Sequence, residues 1–126
     1  SELIPNPEDL LGVGKSLGWY QSARICHAQF RALLGDPNLD GPSIQVGDPL
    51  DTHSDTKLWV KESAEAGHPW VVCLDEIGPA SRGVDPDARE DNNQDLVRQQ
   101  VLWGNLMAGG AGVEWYFGYK NPHMDL

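Results

Sequence analysis

Residues 70–76 have the sequence WVVCLDE, in which five apolar residues run directly into two carboxylates. An apolar strand without polar alternation is typical of a parallel sheet that is covered on both faces. The breakers Gly78 and Pro79 follow at once, so the predicted strand ends beside Asp75 and Glu76. The stretch therefore predicts an α/β protein with two carboxylates at the carboxyl end of a parallel strand.

The flanking sequence alternates between strand and helix patterns. A short strand is predicted at 43–47, a helix at 52–67, a second helix at 93–108 and a third strand at 111–119. Hydrophobic periodicity defines these elements, and the glycine and proline residues between them define their ends. Residues 42–126 are therefore predicted to form a β-α-β-α-β unit, whose crossover connections make the strands parallel.

The first 41 residues carry less regular patterns. A helix is predicted at 8–20 and a further strand at 23–29, although glycines interrupt the first of these. We treat residues 1–126 as one partial domain, in which 1–41 is an N-terminal segment and 42–126 is the β-α-β-α-β portion.

The length of the chain bounds its architecture. It has 126 residues, whereas a complete eight-stranded α/β barrel needs roughly 250. Neither end carries a closing element, so we expect a portion of a longer protein. The alternation of strands and helices is typical of α/β barrels and of open α/β sheets.

The charge balance excludes some partners. The net charge is −10 and the pI is about 4.5, and such a surface repels phosphate backbones, so we expect no nucleic-acid partner. The apolar runs are far shorter than the roughly 20 residues of a membrane span, so we expect no membrane partner. Localisation stays open, with a secreted or periplasmic parent protein as one alternative.

Asp75 and Glu76 are the leading candidates for chemistry. Active sites of parallel α/β proteins lie at the carboxyl ends of the strands, where both residues are predicted. Because neighbouring residues on a strand point to opposite faces, at most one of the two faces a cleft. The alternative is that both simply begin a solvated loop.

A second candidate region is the aromatic segment 114–119. Glu114 stands among aromatic residues, where an unpaired carboxylate is costly unless it faces a cleft. Trp115, Tyr116 and Tyr119 have flat faces suited to stacking on a sugar ring, and packing within a barrel is the alternative use.

A third cluster lies at the predicted junction between strand and helix. Four residues that could bind a metal or a substrate lie there within eight positions: Asp48, Asp51, His53 and Asp55. Capping and the helix dipole explain carboxylates at a helix start. A metal site and a contact with substrate by Asp48 are the alternatives, and we assign no metal and no cofactor.

Two stretches carry a resemblance to a known family. Residues 69–79, PWVVCLDEIGP, and 102–112, LWGNLMAGGAG, resemble bacterial glycoside hydrolase-like proteins with an apiosidase-like catalytic barrel of the clan A type. The similarity covers about 50 residues well, and residues 42–67 more loosely. It implies a C-terminal fragment of a (β/α)8 TIM barrel with three or four parallel βα units.

The resemblance also implies roles for individual residues. Glu76 matches the nucleophile at the end of strand seven, and Asp75 would orient it. The acid/base residue comes from strand four in that family and would lie before Ser1, so this chain alone is expected to be inactive. A carbohydrate is the implied substrate. Glu114 is a runner-up catalytic partner, although its position on strand eight departs from the arrangement in that family.

Other functions remain open at this point. A catalytically inactive, carbohydrate-binding barrel and a small α/β interaction domain are the alternatives. A half-barrel exposes two unpaired sheet edges and apolar surface, so self-association is a further expectation.

Overall fold

The computed structural model describes residues 27–78, 83–86 and 88–118. Three strands, β1 (Ser43–Val46), β2 (Cys73–Ile77) and β3 (Gly112–Val113), form one sheet in chain order. Both strand pairs are parallel. The predicted α/β class and the parallel β-α-β-α-β order of the described residues are therefore confirmed.

The helices alternate with these strands. Residues 27–32 are helical (α1), and α2 spans Thr52–Glu65 after a 3₁₀ turn at Pro49–Asp51. The last helix, α3, is built from three consecutive segments: Gln94–Leu96, the π-helical Val97–Leu102 and Trp103–Met107. No helix within the described ranges is long and apolar enough to cross a membrane.

The predicted strand at 23–29 is wrong for its described residues, because 27–29 belong to α1. His27 and Phe30 are one helical turn apart, and both rings meet Trp59 of α2 edge-on, at centroid distances of 5.0 and 5.3 Å. Helical spacing is what lets both rings reach one partner. The helix predicted at 8–20 lies outside the described residues.

The core lies between one face of the sheet and the helices. Its members are large apolar side chains from every layer: Ile44, Val46, Trp59, Trp70, Val72, Leu74, Ile77, Val84, Val97 and Val101. Trp59 of α2 and Val101 of α3 are at most 1% exposed, as is Leu74 beneath them. Apolar burial of this kind is the main favourable contribution to folding.

The opposite face of the sheet is more open than predicted. Residues 70–76 were expected to be covered on both faces, yet Val71 is 57% exposed and Cys73 is half-buried. Burial alternates because the helices described here pack against only one face. That prediction of double coverage is therefore wrong for the described residues.

The third strand is shorter than the predicted 111–119. Pairing with β2 covers only Gly112 and Val113, and the Glu114 N–H adds one bond to the Leu74 carbonyl at 2.7 Å. Beyond this point the chain pairs with a different partner, since the Val84 N–H donates to the Tyr116 carbonyl at 2.8 Å. The loop at Val84 thus replaces β2 as the backbone partner.

Candidate functional site

A β-bulge in β2 determines which carboxylate faces the open side of the sheet. Ile44 pairs with Leu74 and Gln45 pairs with Glu76, so Asp75 is the extra residue. Paired residues of neighbouring strands share a face. Glu76 therefore lies on the same side as the exposed Gln45, while Leu74 stays in the core. Bulges commonly redirect a side chain in this way near functional sites.

The Glu76 carboxylate has a defined partner. The hydroxyl of Tyr116 donates to Glu76 Oε1 at 3.1 Å and lies 3.3 Å from the carbonyl oxygen of Ile77. Both side chains are half-buried. The structure thus brings together two of the predicted site residues, which are 40 positions apart in the chain.

The environment keeps Tyr116 protonated. Burial raises the pKa of Tyr116 from 10.0 to about 12, with further contributions from the hydrogen bond to Glu76 and from its negative charge. A phenol with this pKa remains a hydrogen-bond donor throughout the physiological range. Glu76 therefore keeps an oriented donor on one carboxylate oxygen, and its other oxygen can meet a ligand.

Tyr116 is held in place through its backbone. Its carbonyl accepts a bond from Val84, and Gly83 approaches it so closely that a Cβ at position 83 would lie 2.3 Å from the Tyr116 oxygen. Gly83 also has a φ of +53°, which favours glycine. A glycine is therefore required beside the carbonyl that positions the phenol.

The buried amide of Asn105 fixes the strand that leads to Tyr116. Asn105 Oδ1 accepts a bond from the Gly112 N–H at 3.0 Å, and Nδ2 donates to Thr56 Oγ1 at 3.1 Å. The amide thus joins α3, α2 and the start of β3. Its fully buried position requires such partners, because an unpaired amide in the interior is costly.

Asp85 is a second buried polar residue that holds the surroundings together. Its carboxylate accepts bonds from the Asn93 N–H at 3.1 Å and from Arg89 at 3.1 Å. The Asp85 N–H in turn donates to Asn93 Oδ1 at 2.8 Å. This reciprocal pair ties the loop after Val84 to the start of α3, so we assign Asp85 a structural role.

Trp115 is an exposed side chain. It lines a mostly apolar cleft of about 180 Å³ with Val84, Val97, Phe117 and the side chains of Gln94 and Arg98. The adjacent Tyr116 contacts Glu76 instead. Trp115 thus lines a cleft that neither Tyr116 nor Glu76 lines.

The remaining predicted residues are placed as follows. Glu114 is exposed, so the costly apolar setting expected for it does not arise. Asp48 is also exposed and accepts a bond from the Leu50 N–H at 3.0 Å, so it caps the 3₁₀ turn, whereas Asp51 at the start of α2 makes no side-chain capping bond. Asp75 is half-buried at the bulge, and Tyr119 lies outside the described residues.

The acidic cluster near α2 is dispersed. His53 Nδ1 donates to the Gly104 carbonyl at 3.1 Å, and Asp55 lies 3.8 Å from His27 Nε2. Burial raises the pKa of Asp55, partly opposed by the charge of His27. Within the described residues no group of three or more His, Cys, Asp or Glu side chains could hold a metal ion.

Sequence reasoning missed Gln45 and Asn105. The alternation of polar and apolar residues at 43–46 is the signal that would have placed Gln45 on the polar face of β1. No local pattern distinguishes Asn105 from an exposed helical asparagine, because its partners lie on α2 and β3.

Comparison of the chain with protein-family models, curated proteins and solved structures gave no match in any of the three. The site is therefore interpreted from its own geometry and chemistry.

Proposed function

We propose that the chain is part of a (β/α)8 barrel of a glycoside hydrolase-like protein, in which Glu76 acts on a carbohydrate. The parallel sheet in chain order, with helices on one face, supports this proposal. In such a barrel the helices cover the outside of the strands and the other face lines the interior. Ser43, Gln45 and Glu76 give that second face the polar character expected near a sugar site.

The hydrogen bond between Tyr116 and Glu76 is the observation that carries the proposal. A retaining glycosidase needs a carboxylate that attacks the anomeric carbon from a fixed direction. The Tyr116 hydroxyl restrains Oε1, which orients the other oxygen for attack. Half-burial weakens solvation of the carboxylate and strengthens its interaction with a developing positive charge on the sugar.

The reaction requires a second acidic group. As the Glu76 oxygen bonds to the anomeric carbon, the glycosidic C–O bond breaks and an acid delivers its proton to the departing oxygen; water later releases the sugar and restores both groups. We propose that the acid/base residue comes from another part of the barrel, since strand four supplies it in the family that the sequence resembles.

The test compares turnover and sugar affinity in the longer protein that contains this chain. We expect Glu76→Gln to lower kcat by roughly 1,000-fold or more, because it removes the nucleophile, while sugar affinity changes far less. Glu65→Gln is the matched control, since it makes the same chemical change at an exposed position of α2, and we expect it to leave kcat unchanged.

A carbohydrate-binding barrel without catalysis is the second candidate, because a carboxylate that a tyrosine hydroxyl holds in place can also accept hydrogen bonds from sugar hydroxyls. In that case Glu76→Gln weakens sugar binding and no turnover is present to lose. Unchanged turnover together with unchanged affinity would exclude both carbohydrate functions and favour a small α/β interaction domain.

A further inference from the structure

Gln45 lies beside Glu76 on the open face of the sheet. The two residues are paired on the neighbouring parallel strands β1 and β2, and neighbouring strands are about 4.8 Å apart. Gln45 is exposed, so its amide is accessible from the face that presents the Glu76 carboxylate. Because the two side chains are equally long, their polar ends can reach the same height above the sheet.

Glu76 has different neighbours on its two flanks. The strands lie in the order β1-β2-β3, and Tyr116, which follows β3, donates its hydroxyl to Glu76 Oε1 at 3.1 Å. Gln45 lies on the opposite flank, on β1. A protonated phenol supplies one fixed donor here, whereas the primary amide of a glutamine both donates and accepts. The β1 flank therefore offers a ligand a donor and an acceptor at the level of the carboxylate.

The chemistry at Glu76 determines which group of a sugar meets this amide. In the proposed function, on which the inference rests, the carboxylate approaches the anomeric carbon to about 3–3.5 Å. The oxygen atoms nearest to that carbon, apart from the departing one, are the ring oxygen and the 2-hydroxyl. The ring oxygen carries no hydrogen, and it becomes a poorer acceptor as positive charge develops on it in the transition state. The 2-hydroxyl, by contrast, can use both the donor and the acceptor of Gln45.

We propose that Gln45 binds the 2-hydroxyl of the sugar and so selects glycosides that carry this group over their 2-deoxy counterparts. The selectivity has two physical sources. A 2-hydroxy sugar gains a hydrogen bond with the amide, and hydrogen bonds at this position strengthen further in the transition state. A 2-deoxy sugar displaces water from the amide without replacing its hydrogen bonds.

Ser43 provides the comparison for Gln45 within the same strand. It is exposed on the same face of β1, but it pairs with Cys73 rather than with Glu76. Two residues along a strand correspond to about 6.6 Å, and the serine hydroxyl extends only one carbon atom beyond the backbone. Ser43 is therefore too distant and too short to reach a group bound at the level of Glu76.

Titration of the 126-residue chain with matched pairs of sugars tests this proposal. Methyl hexosides and the corresponding methyl 2-deoxyhexosides are compared, and the chemical shifts of Glu76 and Tyr116 give a dissociation constant for each sugar. We expect the 2-hydroxy sugar to bind roughly three- to tenfold more tightly, which corresponds to one uncharged hydrogen bond.

Gln45→Met keeps the length of the side chain and removes the amide. We expect it to abolish the preference by weakening the binding of the 2-hydroxy sugar alone. Gln45→Ala is a second variant with the same expected result, and Ser43→Ala is the matched control, which leaves the preference unchanged. Near-ultraviolet circular dichroism, to which the buried Trp59 contributes, verifies that each variant is folded.

The outcomes separate this proposal from the proposed function. Sugars that shift Glu76 and Tyr116 but bind equally well with and without the 2-hydroxyl would overturn the role of Gln45 and leave a carbohydrate site at Glu76 intact. A preference that survives both Gln45 variants would have the same meaning. If no sugar of either series shifts Glu76 or Tyr116, the proposed function and the role of Gln45 fail together.

Discussion

Replacing Asn105 by alanine tests whether one buried amide holds the strand that leads to the candidate site. The substitution removes the acceptor of the Gly112 N–H and the donor to Thr56, at 3.0 and 3.1 Å. The Thr56 hydroxyl can rotate towards another acceptor, whereas the Gly112 N–H cannot. An unpaired buried N–H costs about 1–3 kcal/mol, and the volume left by the missing side-chain atoms adds about 1 kcal/mol.

The free energy of unfolding is therefore expected to fall by about 2–4 kcal/mol, a large part of the roughly 5–15 kcal/mol available to a domain. Urea unfolding followed by tryptophan fluorescence measures this change, because Trp59 and Trp70 are buried in the core. Asn38→Ala is the control, since Asn38 is exposed and, among the residues that the structure describes, bonds only to Asp36 in its own turn. If both variants lose the same small amount, Asn105 does not join the three elements as described.

Two further predictions concern Tyr116 and Gly41. In a spectrophotometric titration, Tyr116 should ionise with a pKa of about 12, and stability should fall as the pH rises from about 10 to about 12, because only the unfolded tyrosine ionises in that range. Glu76→Gln should lower this pKa but leave it above 10, since burial, the largest cause, remains; an unchanged value would contradict the contact. Gly41→Ala should be strongly destabilising in thermal unfolding, because the new Cβ would lie 2.0 Å from the carbonyl oxygen of Val71, and full stability would show that this close approach is absent.

The hydrophobic pattern was sufficient to predict the order of elements. The apolar run at 70–74, the helical periodicity of 52–67 and the glycines after α3 all report on local geometry, so their boundaries agree with the structure to within a few residues. The predicted third strand is too long. The alternation at 111–119 does not reveal that the Tyr116 carbonyl accepts a hydrogen bond from Val84 rather than from β2.

The candidate site was only partly predictable, for a physical reason. The sequence predicts Asp75 and Glu76 at a strand end. Which of the two side chains faces the open side of the sheet depends on the bulge opposite Ile44 and Gln45. A bulge is set by pairing between strands and leaves no mark in a single strand's sequence. The contacts of Trp115 and Tyr116 were not predictable either, because they depend on where the chain leaves β3.

The most direct test of the account is a sugar titration of the 126-residue chain followed by nuclear magnetic resonance. With a panel of methyl pentosides and hexosides, we expect chemical-shift changes centred on Glu76, Tyr116 and Gln45, which Glu76→Gln preserves with a similar dissociation constant. A saturating sugar that shifts no resonance, or changes that avoid these three residues, would contradict a carbohydrate site at Glu76.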